Sequence, residues 1–197
     1  MRSVGITPFG LREAARTVSG GGVIAYPTEA VFGLGCDPLD PDAVLRILDI
    51  KGREMTKGLI LIAADFDALR PYVEPLPAGR MAEIAATWPG FNTWLLPARP
   101  ETPRWLTGAH DTLAVRVTGH PVAAALCRAC ARYGSHIGSG ALVSTSANLS
   151  DLDPARTALA VRRRLGNLPD LIVAGRCGSH PRPSTIRDGG TGRILRG

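Results

Sequence analysis

The chain has 197 residues, 45% hydrophobic and 20% charged, with a formal net charge of +6. That length suits one domain spanning residues 1–197 with a real core, and the composition excludes a disordered chain. No apolar run approaches the roughly 20 residues of a membrane span, and "MRSVGITPFGLREAARTVSGGG" has no apolar signal core with a cleavage site. The four cysteines (Cys36, Cys127, Cys130, Cys177) are too sparse for a disulfide framework, so a cytoplasmic protein with reduced thiols is expected. The positive charge points toward polyanions, either nucleotides or nucleic acid, although an arginine-rich composition can also be a proteome-wide habit.

In chain order, "FGLREAARTVSGGG" predicts an amphipathic helix with Leu11, Ala14, Ala15 and Val18 on one face, stopped by Gly20, Gly21 and Gly22. "VIAY" (23–26) is a short buried strand ended by Pro27. "DPDAVLRILDIK" (40–51) is a helix with Asp40 as N-cap and Pro41 in its first turn, and "LILIAA" (59–64) is a fully buried strand. "DFDALRPYV" and "AGRMAEIAATW" predict helices, and 92–98 and 112–118 strands. Residues 120–134 predict a helix, 141–145 a strand, 154–166 a helix and 170–175 a strand. The tail, "STIRDGGTGRILRG", predicts a hairpin turning at Asp188-Gly189-Gly190. Helices and strands alternate without a linker or repeat, which predicts one α/β sheet with helices packed on it. "GSHIGSG" (134–140) is the least structured stretch.

No glycine-rich loop ends in Gly-Lys-Ser/Thr, so a nucleotide site must be built another way. Cys127 and Cys130 share a predicted helix, with no second pair or histidine at zinc spacing, and read as small helix residues. Three stretches carry dense polar groups at strand ends. "YPTEAVFGLGCD" (26–37) offers Tyr26, Thr28 and Glu29, where open α/β sheets place ligands. "VSTSANLSD" (143–151) and "PSTIRD" (183–188) offer short hydroxyl side chains that can wrap phosphates or ribose, or simply cap turns. Lys51 and Lys57 are the only lysines; the remaining 21 of the 23 basic residues are arginine. Lysine is a compact point charge and arginine a bulkier planar fork, so a crowded anion pocket would keep the former. The alternative is a lysine ending a helix and another solvated in a loop.

"VIAYPTEAVFGLGCDP", "KGREMTKGLILIAA", "WPGFNTWLLPA", "TPRWLTG", "LAVRVTGHP", "LVSTSANLS" and "PSTIRD", in this order, resemble the YrdC/TsaC family of threonylcarbamoyl-AMP synthases over nearly the whole chain. The resemblance implies a single twisted mixed α/β sheet with flanking helices and a concave, positively charged cavity. It implies formation of threonylcarbamoyl-AMP and pyrophosphate from L-threonine, bicarbonate and ATP, with Mg²⁺ held mainly by ATP phosphates. Other proteins then transfer the threonylcarbamoyl group to N6 of the adenosine beside the anticodon in tRNA. It implies Lys51, Arg53 and Lys57 around the phosphates, where crowding would keep both lysines. Ser144, Ser146 and Asn148 fall at the nucleotide, Thr93 at ATP, and Ser184 and Arg196 at further nucleotide contacts. Thr28 and Arg116 fall at the threonine substrate. Glu54 stands where many members have proline, and Phe91 replaces the second proline of Trp-Pro-Gly-Pro-x-Thr. The stretch before the serine loop is longer than usual. The competing readings are a non-catalytic double-stranded RNA or tRNA-binding module and a carbamoyl-transfer accessory domain. A monomer is expected.

Overall fold

The computed structural model describes residues 2–4, 6–134, 139–149, 152–180 and 184–196. Most of the 134–140 loop, and Ser150, Asp151 and Pro183 of the two serine-rich loops, lie outside the described residues. Strand β1 (Arg2–Val4) precedes α1 (Pro8–Ser19), whose N-cap Thr7 accepts a hydrogen bond from the Gly10 amide at 3.0 Å, with proline in the first turn. Its buried side is Gly10, Ala14, Ala15 and Val18, close to the predicted face. Strand β2 (Ile24–Pro27) turns at once into β3 (Phe32–Gly35), an antiparallel partner that the sequence reading left as a polar loop. Gly33 and Gly35 are the reason it was missed, since glycine weakens a strand pattern. They share one face of β3, where a Cβ on Gly35 would sit 2.5 Å from the Val143 carbonyl and 2.8 Å from the Tyr26 ring. The other face carries Phe32 and Leu34, both fully buried.

Helix α2 (Pro41–Lys51) is capped by Asp40, which accepts from the Ala43 amide at 3.0 Å, and ends at Gly52 in the left-handed conformation. Beyond a 3₁₀ turn (Met55–Lys57) come β4 (Ile60–Ala63), a second 3₁₀ turn (Asp67–Leu69) in place of the predicted 65–73 helix, and α3 (Ala78–Ala85). Then follow β5 (Asn92–Pro97), the short α4 (Arg104–Thr107), β6 (Thr112–Val117) and α5 (Pro121–Tyr133). The predicted 141–145 strand breaks at Ser144 into β7 (Leu142–Val143) and β8 (Thr145–Ser146). Helix α6 (Ala158–Leu165) begins at the Thr157 cap, later than predicted, and β9 (Leu171–Val173) follows. The chain closes with the hairpin β10 (Thr185–Asp188) and β11 (Ile194–Arg196).

The α/β class and flanking helices stand, but the strands form two sheets rather than one. One runs β1-β9-β2-β3-β8 and the other β11-β10-β5-β6-β4-β7, both mixed parallel and antiparallel. The break at Ser144 is where the chain steps between them: β7 pairs with β4 in one sheet and β8 with β3 in the other. Several central strands are buried on both faces. Leu61 and Ala63 of β4, Ala25 of β2 and Ile172 of β9 enter one core with α2, while Ile62, Ile24, Tyr26, Leu171 and Val173 pack with α1 and α5 in a second. Cys127 and Cys130 lie in that second core. No helix among the described residues is long and apolar enough to cross a membrane.

The glycine face of β3 makes a direct test. Gly35→Ala is expected to lose about 2 kcal/mol by overpacking against fixed backbone. Gly79→Ala, on α3 with nothing within 4 Å of its new methyl, is expected to gain about 0.5 kcal/mol. Urea unfolding of both variants checks the pair; equal effects would contradict the packing described.

Candidate active site

A cavity of about 510 Å³ opens at the seam between the sheets. Of the eleven residues that the resemblance singled out, nine line it: Thr28, Lys51, Arg53, Lys57, Arg116, Ser144, Ser146, Ser184 and Arg196. No aspartate or glutamate is among its described lining residues. Glu54, the acidic departure in the basic motif, is exposed and outside the lining, whereas Phe91 is part of it. Phe91 stacks on His180 with ring centroids 3.8 Å apart.

Lys51 is the last residue of α2 and only 7% exposed. Its Nζ donates to the Ser146 carbonyl at 2.8 Å, the Asn148 carbonyl at 2.8 Å, Ser146 Oγ at 3.3 Å and Asn148 Oδ1. Ser146 Oγ also donates to Asn148 Oδ1 at 2.6 Å. An ammonium thus gathers four oxygens of the serine loop, and a planar guanidinium has no room to do so. Burial first, and repulsion from Arg53 second, push the Lys51 pKa down to about 8. Arg53 is tied to the loop that follows it: Nε and Nη2 donate to the Gly58 carbonyl at 3.3 and 2.9 Å, and Nη2 to that of Lys57 at 3.3 Å. The "TPRWLTG" turn holds the same loop from the other side, through Leu59 N to Leu106 O at 2.8 Å and Ala109 N to Thr56 O at 3.0 Å. Lys57 itself is exposed, so crowding describes Lys51 and not Lys57. Arg196 reaches the Ser184 carbonyl at 3.4 Å.

Thr93 and Asn148 do not line the cavity. Thr93 is fully buried and meets Ser184 Oγ at 2.9 Å, so its contact with the cavity runs through that serine. Asn148 holds Lys51 and donates through Nδ2 to the Leu152 carbonyl at 2.6 Å. Thr28 Oγ1 donates to the Val31 carbonyl at 2.8 Å, closing the β2–β3 turn. Arg116 projects from β6, and its Nη1 donates to Glu29 Oε2 in a buried ion pair. Its Nε is buried with no hydrogen-bond partner among the described residues. Glu29, 8% exposed, also accepts from Thr118 Oγ1 at 2.8 Å and from the Gly119 amide at 3.0 Å. Burial opposes its ionisation, yet Arg116 and the hydrogen bonds of its own backbone amide, Thr118 and Arg116 hold the carboxyl below its ordinary value. The sequence sets Glu29 among the polar groups of a ligand-placing strand end but assigns it no role of its own. A carboxylate flanked by two fully buried strands was the available signal.

Among the described residues no group of three or more His, Cys, Asp or Glu side chains could hold a metal. Among the described lining residues, cations and hydroxyls converge on the cavity without a carboxylate, an arrangement of an α/β protein that suits anionic small molecules. The model of the Sua5/YciO/YrdC family, described as "Telomere recombination", matches residues 16–197, and the chain belongs to that family. It is 55% identical over 192 residues to a threonylcarbamoyl-AMP synthase of Halorhodospira halophila, covering 98% of this chain and 96% of that one. It is also 55% identical over 186 residues to the synthase of Nitrosococcus oceani, covering 94% of this chain and 96% of that one. Among solved structures, P. abyssi Sua5 complexed with L-threonine superposes with a TM-score of 0.84 at 32% identity, over 95% of this chain. This chain spans 53% of that Sua5 chain. E. coli YciO matches with a TM-score of 0.80 at 27% identity, over 99% of this chain and 93% of that one.

With two lysines in the chain, the titration of Lys51 is separately observable. Its folded pKa of about 8 lies below the 10.5 of an ordinary lysine, so between those values the unfolded chain binds more protons. The contribution of this group therefore makes the fold more stable as pH rises through that window. NMR of protein labelled at lysine Cε, with Lys51→Met for assignment, is expected to give a midpoint near 8. A midpoint at the ordinary value would contradict the buried setting.

Proposed function

We propose that this chain is an L-threonylcarbamoyladenylate synthase, a nucleotidyltransferase domain spanning the whole sequence. The observation that carries the reading is the convergence of basic and hydroxyl side chains from separate segments on one cavity, with a buried arginine at another part of the lining. Relatives carrying the synthase name over nearly their whole length support it. In this reading Arg53, Lys57 and Arg196 face the triphosphate, and Ser144, Ser146 and Ser184 meet the nucleotide. Thr93 supports Ser184, and Asn148 supports Lys51. Thr28 and Arg116 take L-threonine, the buried guanidinium receiving its carboxylate.

The threonine amine attacks the bicarbonate carbon, a C–O bond breaks, and water leaves carrying the amine's proton, which gives the carbamate. A carbamate oxygen then attacks the α-phosphorus of ATP in line, the bond to the β-phosphate oxygen breaks, and pyrophosphate leaves with the electron pair. Carbamate and triphosphate are both anions; two unit charges about 4 Å apart at an effective dielectric near 20 repel by roughly 4 kcal/mol. The cations of the lining offset that repulsion and stabilise the charge growing on pyrophosphate. Mg²⁺ enters as part of the MgATP substrate, carried by phosphate oxygens and water, which suits a lining whose described residues offer hydroxyls and no carboxylate. No activated side-chain nucleophile is required, and positioning supplies most of the rate. Lys51 keeps the serine loop in place while adding its charge. Proteins that move the threonylcarbamoyl group onto tRNA would follow, with the enzyme acting as a cytoplasmic monomer.

The test is pyrophosphate release from MgATP with bicarbonate, with and without L-threonine. Threonine-dependent release, with L-serine much weaker, is expected. Lys51→Arg should lower it at least about a hundredfold, because the serine loop loses its organising ammonium, while Lys57→Arg at its exposed position should retain most activity. ATP binding without release under any condition would refute the synthase reading. Salt-sensitive RNA affinity without ATP binding would favour the RNA-binding module instead.

A further inference from the structure

Glu29 lies behind Arg116, outside the cavity lining, with its carboxylate saturated by Arg116, Thr118 and the Gly119 amide. Arg116 therefore enters the cavity as half of a neutral pair, whereas Arg53, Lys57 and Arg196 line it with no acidic residue among the described lining residues. The two parts of the lining differ in net charge. Anionic phosphate oxygens are drawn to unpaired cations. A zwitterion such as a free amino acid gains little from net charge and much from oriented donors. Arg116 retains such a donor, its Nε, buried and without a partner among the described residues.

We infer that Glu29 is a positioning and specificity residue: by pairing with Arg116 it keeps phosphate groups out of the amino-acid end of the cavity. The inference rests on the proposed synthase function, since it assumes that Arg116 receives the amino acid. Two contributions are separable. Glu29 fixes the guanidinium by a direct hydrogen bond, and it cancels the charge that would otherwise attract phosphate. Thr118 and Gly119 in turn fix Glu29; His120 follows as the α5 N-cap, with its amide donating to Thr118 Oγ1 at 3.2 Å. The carboxylate is thereby anchored to the β6–α5 connection and cannot follow a ligand into the cavity.

The experiment is calorimetric binding of L-threonine to the intact protein, with and without millimolar inorganic phosphate as competitor. Wild-type affinity for threonine is expected to change less than about twofold on adding phosphate, since phosphate should settle on the lysine and arginine side. In Glu29→Gln, phosphate should compete with threonine and weaken its apparent affinity about tenfold. Lost packing alone would weaken threonine binding without creating a new competitor. Competition in the wild type, or none in folded Glu29→Gln, overturns the inference. Should Glu29→Gln fail to fold, Glu29→Asp, a methylene short of Arg116, must show intermediate competition, and its absence there overturns it equally. A wild type that binds no threonine at all removes the synthase reading itself, which separates the two failures.

Discussion

The site depends on one ammonium group. Lys51 leaves the C-terminus of α2 and holds the carbonyls of Ser146 and Asn148 together with their side-chain oxygens. Without that charge, four acceptors would face one another across a partly buried space, which is costly. The cost of desolvating the ammonium is visible in its lowered pKa. Helix α2 supplies the rigidity: Asp40 caps its start, Gly52 ends it, and its apolar side sits in the main core. An interaction of this kind couples core packing directly to loop geometry. It also gives a reason for lysine at this position in a chain with 21 arginines and one other lysine, because three or four close acceptors around one nitrogen suit a compact donor.

The second constraint is the passage of the chain between the two sheets at Ser144. Val143 still pairs with β4, and Thr145 already pairs with β3, so the serine between them has its side chain at the seam. The Ser144 amide bonds the Ile60 carbonyl at 2.8 Å, which joins the serine loop to the strand that follows the basic motif. A cavity at a seam receives groups from both sheets without interrupting either core. Thr28 comes from the end of β2, Arg116 from β6 and Ser184 from just before β10. Stability and function are thereby separated in space but joined through a few backbone bonds.

Much of this was legible in the residues. The cap at Asp40, the apolar strand 59–64 and the small-residue face of α1 follow local rules of capping and periodicity, and those rules held. Other features answer to tertiary contacts that local pattern does not carry. Strand β3 looks like a loop because Gly33 and Gly35 leave room for Tyr26 across the hairpin and for the Val143 carbonyl, and the latter is remote in sequence. The two-sheet division hangs on a single residue inside an apparently continuous strand. Thr93 reads as a cavity residue from its motif, but it is fully buried and its hydroxyl meets the cavity through Ser184. Glu29 was visible as polar; what hid its place was that its partners, Arg116 and Thr118, are remote in sequence.

The same contrast bears on how charge is used. Counting basic residues treats Arg116 and Arg53 alike, yet their surroundings make them different reagents. Among the described residues, Arg53 donates only to neutral carbonyls, which leave its charge uncancelled. Arg116 donates to a carboxylate, which satisfies geometry and cancels charge together. A cavity that must hold a polyanion and a zwitterion side by side gains discrimination from that difference, because attraction by net charge is indifferent to orientation, whereas recognition by a paired donor requires the ligand to fit. The fold supplies both kinds of arginine from neighbouring strands and loops, so on the inferred role of Glu29 the selectivity of the site resides less in how many cations it contains than in which one has been neutralised.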